Sequence, residues 1–353
     1  MRFLVTGGAG FIGSALVRDL IANGEEVVTL DSLTYAGHVE SLVDALQSSK
    51  HCFERADIRD RATVEEVFQR HQPDIVLHLA AESHVDRSID SPMDFVTTNV
   101  VGTVNMLDAA THHWRGLSGA KKAAFRFLHV STDEVYGSLG PTGVFTEDTP
   151  YQPNSPYSAS KASSDHFARA WNRTFGLPVL ISHCSNNYGP FQMPEKLIPV
   201  IVLAAMEGRP IPIYGTGTNV RDWLFVDDHV SALIAIATKG QPGGVYNVGA
   251  DQEITNIDMA RRICAWMDRL LPDSPHAPHA NLIEFVADRP GHDLRYAIDS
   301  TRVRNELGWA PRQGLEEGLG RTVRWYVEND WWWRGIRDGG FEDSARQGLS
   351  GGV

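Results

Sequence analysis

The sequence predicts an α/β fold, a doubly wound parallel sheet joined to a smaller, interwoven second layer. Three observations carry that expectation. Apolar strand-length runs alternate with helix-period segments through the first half of the 353 residues, the pattern of a parallel sheet covered on both faces. A glycine-rich turn joins the first strand candidate to the first helix candidate. After about residue 185 the rhythm changes, and Pro190, Pro194, Pro199, Pro210 and Pro212 break the chain into loops.

In chain order, apolar runs at 3–6, 26–30, 52–56, 75–80, 125–130 and 179–183 predict the strands, with helices over 12–23, 62–71, 93–111 and 157–175 between them. Asn23-Gly24 stops the first helix, and Pro156 suits the first turn of another. Further on, a helix is expected over Leu197–Glu207, and a helix at 228–237 with a strand over Val245–Val248 should return to the main sheet. Residues 1–185 with return segments near 226–250 are therefore expected to form one domain, and 186–330 an interwoven second. Residues 331–353 form a tail, expected to lie on the surface or fray from Arg334, while Trp331-Trp332-Trp333 reads as a packing patch or subunit contact.

Composition narrows the function class. A net charge of −12 argues against general binding to nucleic acid or an anionic membrane. No apolar run approaches the roughly 20 residues that cross a bilayer, and the N-terminus enters a strand too directly for a secretion signal. Cys52, Cys184 and Cys264 are far apart without metal-ligand spacing. No metal site and a reduced, cytoplasmic setting are expected.

Gly7-Gly8-Ala9-Gly10-Phe11-Ile12-Gly13 follows the first strand and opens the first helix. Its spacing permits a tight turn, close approach of a pyrophosphate and exposed amides at a helix N-terminus, as in a Rossmann-type dinucleotide site. Asp31 ends the second strand, where a carboxylate receives the adenosine ribose hydroxyls and repels a 2′-phosphate. NAD is therefore expected rather than NADP, with Ser32, Leu33 and Thr34 continuing that wall. Asp57 and Ile58 should lie beside the adenine. Leu79, Ala80, Ala81 and Ser83 follow the fourth strand at the sheet's carboxyl edge, and Thr98 lies on the next helix.

Tyr157 and Lys161 stand four residues apart and share a helix face. An ammonium beside a phenol is expected to favour phenolate, which makes the pair a redox element for a nicotinamide cofactor. Asp133 and Glu134 adjoin Thr132 on the preceding loop, and two carboxylates exceed what hydride transfer needs. A general acid and a general base suggest that water is also eliminated. Which of the two carries the proton is open at this level.

Taken together, these motifs resemble the dTDP-glucose 4,6-dehydratases, a family of the extended short-chain dehydrogenase/reductases. The likeness spans about residues 1–330, through stretches 6–14, 31–37, 78–89, 131–137, 157–161, 185–190, 194–199, 221–223 and 288–292. It implies that Tyr157 takes the sugar 4-hydroxyl proton, that Glu134 removes the C5 proton, and that Asp133 protonates the departing 6-hydroxyl. Thr132 would bond the 4-oxygen, and hydride would leave C4 for NAD and return to C6. A nucleotide-sugar substrate implies donors in the second half: Arg221 and Arg289 for the diphosphate, with Asn186, Lys196, Leu197, Asn256, Asp288 and His292. Pro212, Ile213 and Tyr214 would wall the base, Ser83 would touch the sugar and Asn187 the nicotinamide side. A homodimer through the helices at 93–111 and 157–175 is also implied. UDP- or CDP-glucose remain alternative substrates, since thymine and uracil differ by a methyl worth about 1–3 kcal/mol. A 4-epimerase or decarboxylase on the same scaffold, or a regulatory NAD-binding protein, are the other readings.

Overall fold

The computed structural model describes residues 1–288 and 291–338. Its first half builds the sheet in strand–helix alternation: β1 (Arg2–Thr6), α1 (Phe11–Ala22), β2 (Glu26–Asp31), β3 (His51–Arg55), α2 (Arg61–His71) and β4 (Ile75–His78). There follow α3 (Val85–Asp90), α4 (Pro92–Phe95), α5 (Thr103–Gly116), α6 (Gly119–Ala124), β5 (Arg126–Thr132), α7 (Pro156–Phe175) and β6 (Val179–Cys184). The expected strand over 75–80 ends at His78, and residues 79–83 leave the sheet as a loop. The helix expected over 93–111 is interrupted by a wide π turn, Val96–Gly102.

The second half supplies β7 (Asn186–Tyr188), α8 (Leu197–Glu207), β8 (Ile211–Tyr214), β9 (Val220–Phe225), α9 (Val226–Lys239) and β10 (Val245–Val248). Beyond these come β11 (Glu253–Thr255), α10 (Asn256–Leu270), β12 (Ile283–Val286), α11 (Thr301–Leu307), α12 (Leu315–Glu328) and α13 (Asp330–Asp338).

The main sheet has strand order β10-β6-β5-β4-β1-β2-β3, every pair parallel. Period-two alternation sends Phe3 and Val5 to one core, beneath α1 and α9, and Leu4 to the other, beneath α2, α5 and α7. Burial on both faces is what allows all-parallel strands to read as continuous apolar runs. The strand order reverses at β1, whose neighbours are β2 and β4. A crevice at the carboxyl ends of the strands follows from that reversal.

β10 pairs with β6 and so returns to this sheet, as the sequence predicts. The other strands of the second half form two small sheets, β11-β9-β7 and β12-β8, around a separate core with α8, α10 and α12. The packing patch expected at Trp331-Trp332-Trp333 is present, while the chain continues helical past Arg334, where a surface or frayed tail was expected, as far as residue 338. Trp332 and Trp333 are 3% and 2% exposed. Trp332 Nε1 donates to Ser41 Oγ (3.0 Å) and Trp333 Nε1 to the Tyr326 carbonyl (2.9 Å), so α13 is packed against the body. Two indoles and the Ile336 side chain supply the apolar surface that anchors the segment. The glycine pairs at 339–340 and 351–352 lie outside the described residues.

Candidate active site

The glycine turn sits where β1 gives way to α1, and its backbone tolerates no side chains. Gly7 has φ +68°, and a Cβ on Gly13 would stand 2.0 Å from the Gly7 carbonyl oxygen. No side chain caps the first turn of α1, which leaves amide donors there for an anion. Asp31, at the end of β2, is buried. Its Oδ2 accepts from Ala9 N (2.9 Å) and its Oδ1 from Leu33 N (2.8 Å). Burial raises its carboxyl pKa, with the two amides opposing.

A cleft of about 340 Å³ opens at the sheet's carboxyl edge beside this turn. Gly7, Gly10, Phe11, Ile12, Gly13, Asp31, Ser32 and Thr34 form one end of it, and Asp57, Ile58, Leu79, Ala80, Ala81, Ser83 and Thr98 line its length. Thr132, Tyr157, Lys161, Asn186, Asn187 and Lys196 close the other end. Leu33 stays out of the lining. Its positive φ of 55° and its N–H on Asp31 make it a shaper of the loop. The residues fit NAD: each Asp31 oxygen, engaged by one amide, keeps acceptor capacity for a ribose hydroxyl. At the far end Asn187 Oδ1 is buried with no hydrogen-bond partner among the described residues, an acceptor suited to a carboxamide N–H.

The catalytic end is set by the start of α7. Ser155 and Ser158 form a capping box around Pro156, which fixes the first turn and with it Tyr157. Lys161, 4% exposed, donates from Nζ to the Val130 carbonyl at 2.9 Å. Thr132 ends β5 and accepts from Glu134 N (3.2 Å), so it caps the short 3₁₀ turn Asp133–Tyr136. The Thr132 hydroxyl is also the hydrogen-bonding neighbour of the Tyr157 phenol.

One expectation is corrected here. The Tyr157 phenol is held well above its ordinary pKa by burial and then by the Glu134 charge, and Lys161 does not lower it in this arrangement. The reason is geometric: the ammonium is turned onto the Val130 carbonyl. Tyr157 is half-buried and borders the cleft.

The proton question left open by the sequence has a physical answer. Asp133 is 2% exposed. Its carboxyl is pushed well above the usual carboxylate range by burial, then by the charges of Glu134 and Asp222, against the pull of Arg221 and Thr132. Asp133 Oδ2 has no partner among the described residues. That direction favours a proton on Asp133, which adjoins Thr132 in the cleft wall.

The remaining expected residues fall into two groups. Arg221, on β9, is buried against the Tyr296 ring at 4.3 Å and donates to the carbonyls of Val220 (2.8 Å) and Asp293 (3.0 Å). Its charge also acts on Asp133. Tyr214, Asp288 and His292 cluster away from the main cleft, with His292 Nδ1 2.7 Å from Asp288 Oδ1 and its ring edge-on to Tyr214. Pro212 and Ile213 are buried in β8, and Leu197 and Asn256, opening α8 and α10, are partly buried. Arg289 lies outside the described residues.

Several contributors went unread in the sequence. Asn99, in the π turn, bonds both the Glu82 backbone N–H and carbonyl and donates to Ser160 Oγ at 2.8 Å, tying the loop after β4 to α7. Glu82, Ser131, Cys184, Gln192 and Glu195 also line the cleft. Two groups with metal-ligand proximity, Cys52-Glu54-His71 and Glu65-Asp108-His112, lie outside the cleft lining, and Arg70 and Arg61 already hold their carboxylates.

Comparison with known proteins agrees with this geometry. The family model described as GDP-mannose 4,6 dehydratase matches residues 4–322. The dTDP-glucose 4,6-dehydratase of Neisseria meningitidis is 53% identical, over 96% of this chain and 97% of its own, and a probable one from Sinorhizobium fredii is 58% identical over 96% of each. The Streptomyces venezuelae dTDP-glucose 4,6-dehydratase, solved with NAD and TYD bound, superposes with a TM-score of 0.85 at 44% identity, covering 95% of this chain and 100% of that one. A Thermus thermophilus UDP-glucose 4-epimerase complexed with NAD shares the fold at 29% identity and a TM-score of 0.81, covering 93% and 99%. The chain belongs to the dTDP-glucose 4,6-dehydratase family.

Proposed function

We propose that this enzyme converts dTDP-glucose into dTDP-4-keto-6-deoxyglucose and water, with NAD as a tightly held cofactor. The observation that carries the reading is the Asp133–Glu134 pair beside Thr132, with Asp133 buried where a proton is favoured and Glu134 acting as a charged neighbour of Tyr157. Bound NAD supplies a hydride acceptor and donor, so that hydride leaves sugar C4 and returns at C6. Tyr157 takes the proton of the 4-hydroxyl while Thr132 holds the 4-oxygen. The resulting 4-ketone acidifies C5–H, which Glu134 removes. Asp133 gives its proton to the 6-hydroxyl, which departs as water. Two protons are taken from the sugar and two are given, one to the leaving water and one from Glu134 back to C5; Tyr157 then holds one proton more and Asp133 one fewer, so a proton must pass from Tyr157 to Asp133 before the next turnover. Arg221 beside Asp133 limits how far the acid's pKa climbs, which keeps it able to donate.

In this reading residues 1–185 with 226–250 hold NAD, and 186–330 hold the nucleotide sugar. The Tyr214-Asp288-His292 group is the region we assign to the nucleotide. We further propose a homodimer in the cytoplasm. Met93 on α4, Val96 and Val101 on the π turn, and Phe167 and Phe175 on α7 are 39–64% exposed, more apolar exposure than a monomer needs to show in one region. Cys52, Cys184 and Cys264 are all free thiols, and no helix of the described residues is long and apolar enough to cross a membrane.

The test is incubation with dTDP-, UDP- and CDP-glucose, read by absorbance of the product in base. A 4-keto product from dTDP-glucose is expected. A galactose product would replace this reading with epimerisation, and preference for UDP- or CDP-glucose would move the substrate assignment.

A further inference from the structure

Tyr157, Lys161 and Asp165 recur every four residues along α7, so one helix face carries a phenol, an ammonium and a carboxylate in succession. The first two belong to the redox pair. Asp165 lies one turn deeper, 1% exposed, between β5 and β6. Its Oδ2 accepts from Ser131 Oγ at 2.9 Å and stands 3.0 Å from His183 Nε2. His129 Nε2 approaches Oδ1 at 3.1 Å, outside hydrogen-bonding alignment. His183 is fixed in turn by the Tyr136 and Tyr151 hydroxyls, each at 2.9 Å, and Tyr136 donates to Asn247 Oδ1. Lys161 and Asp165 thus grip consecutive residues of one strand, the carbonyl of Val130 and the hydroxyl of Ser131.

We propose that Asp165 is a positioning residue, the buried counter-ion that keeps Lys161 an ammonium beneath Tyr157. The proposal rests on the reading of Tyr157 and Lys161 given above. A buried ammonium sheds its proton unless an anion opposes the loss of water. Burial does push Lys161 down, and the opposing charges are those of Asp165 and Cys184. The Cys184 thiol is itself pushed up to about 12 by burial, so it is neutral at working pH. Asp165 remains. Burial raises its carboxyl, but the approach of His129 and His183 more than reverses this and holds it below the usual carboxylate range.

The other titratable groups facing this pair do not supply a negative charge. His78 on β4 is pushed down by burial, and His129 on β5 down to about 4, so both are neutral. His183 lies on β6. Tyr136 and Tyr151 are pushed up by burial and stay phenols. Asp133 and Glu134 act on Tyr157 from the turn after β5. The π turn presents the neutral Asn99, through Ser160.

Asp165→Asn keeps the shape and removes the charge. Lys161 then loses its proton at lower pH, and the alkaline limb of the kcat profile should move down by about 1–3 pH units, the shift an adjacent opposite charge commands. Tyr136→Phe trims the same network by one hydroxyl and no charge, and its alkaline limb should stay where the wild type has it. A limb unmoved in Asp165→Asn, or moved equally in both variants, overturns the proposal. Wild-type failure to dehydrate dTDP-glucose would instead sink the parent reading. If Asp165→Asn does not fold, or the wild type shows no turnover, thermal melts decide. Adding Lys161→Met to Asp165→Asn removes the stranded ammonium and should raise the melting temperature or restore a cooperative melt, whereas Lys161→Met alone should lower it. Absence of that opposite-signed response refutes the charge pair.

Discussion

Asp133→Asn separates the redox step from elimination and reports on the buried proton in two independent ways. The amide keeps the shape of a side chain that is 2% exposed, but it cannot donate the proton on which the 6-hydroxyl depends. A positioned general acid contributes about 10²–10⁴-fold, equivalent to roughly 3–5.5 kcal/mol of barrier at 1.36 kcal/mol per decade. Dehydration should slow by that factor, while Tyr157 and Lys161 still allow C4 oxidation. Mixing the variant with dTDP-glucose should therefore produce NADH absorbance on the enzyme ahead of product. The second readout is stability. Asp133 has a folded pKa raised well above 3.8, so the folded state binds its proton more tightly than the unfolded chain does. Its contribution is favourable below the unfolded pKa of about 3.9 and is lost as pH rises toward the folded value. Asparagine removes that loss. The variant should melt above the wild type near neutral pH, with the gap closing as the pH falls toward 4. Wild-type dehydration rates, or a variant less stable than the wild type at pH 7, would refute the protonated-acid assignment.

The other expectations follow from single contacts. Tyr157→Phe removes only a hydroxyl at the cleft and should cost about a hundredfold or more in turnover, without reducing the NAD released on denaturation. Gly13→Ala would place a methyl 2.0 Å from the Gly7 carbonyl oxygen; the turn must open, and NAD retained through gel filtration should fall sharply. Glu134→Gln should leave the C5 proton in place, so wash-out of deuterium from C5 should fail in this variant even as NADH accumulates. Trp332→Ala, deleting an indole 3% exposed, should destabilise by about 3–5 kcal/mol in denaturant melts, where a frayed tail would give no change.

The sheet was legible because both its faces are buried: apolar runs at six of its seven strands leave few alternatives, and the glycine turn fixes where the chain enters the first helix. The small sheets were not, since β7, β8, β9, β11 and β12 are three to six residues long, too short for a period to emerge. The tryptophans of α13 were legible as a packing patch, but the partners they pack on were not: Ser41 is remote in the sequence, and the helix runs past Arg334 where fraying was expected. Much of the cleft lining was readable, since it follows the ends of successive strands in order.

The acid and base were readable as types only. Which carboxylate holds the proton depends on Asp222, on Arg221 and on depth behind Thr132, none of which is local to positions 133 and 134. The same holds for Tyr157. Spacing puts an ammonium on its face of the helix, but the Val130 carbonyl turns that ammonium aside. In a sequence, four-residue spacing establishes proximity. Charge state is settled by the third dimension, and here burial first and then the Glu134 charge raise the pKa of both Asp133 and Tyr157. That shared neighbour couples the redox half of the site to its elimination half. In the proposed mechanism, uptake of the C5 proton by Glu134 would quench that charge, lower the Asp133 pKa and favour its donation to the leaving hydroxyl.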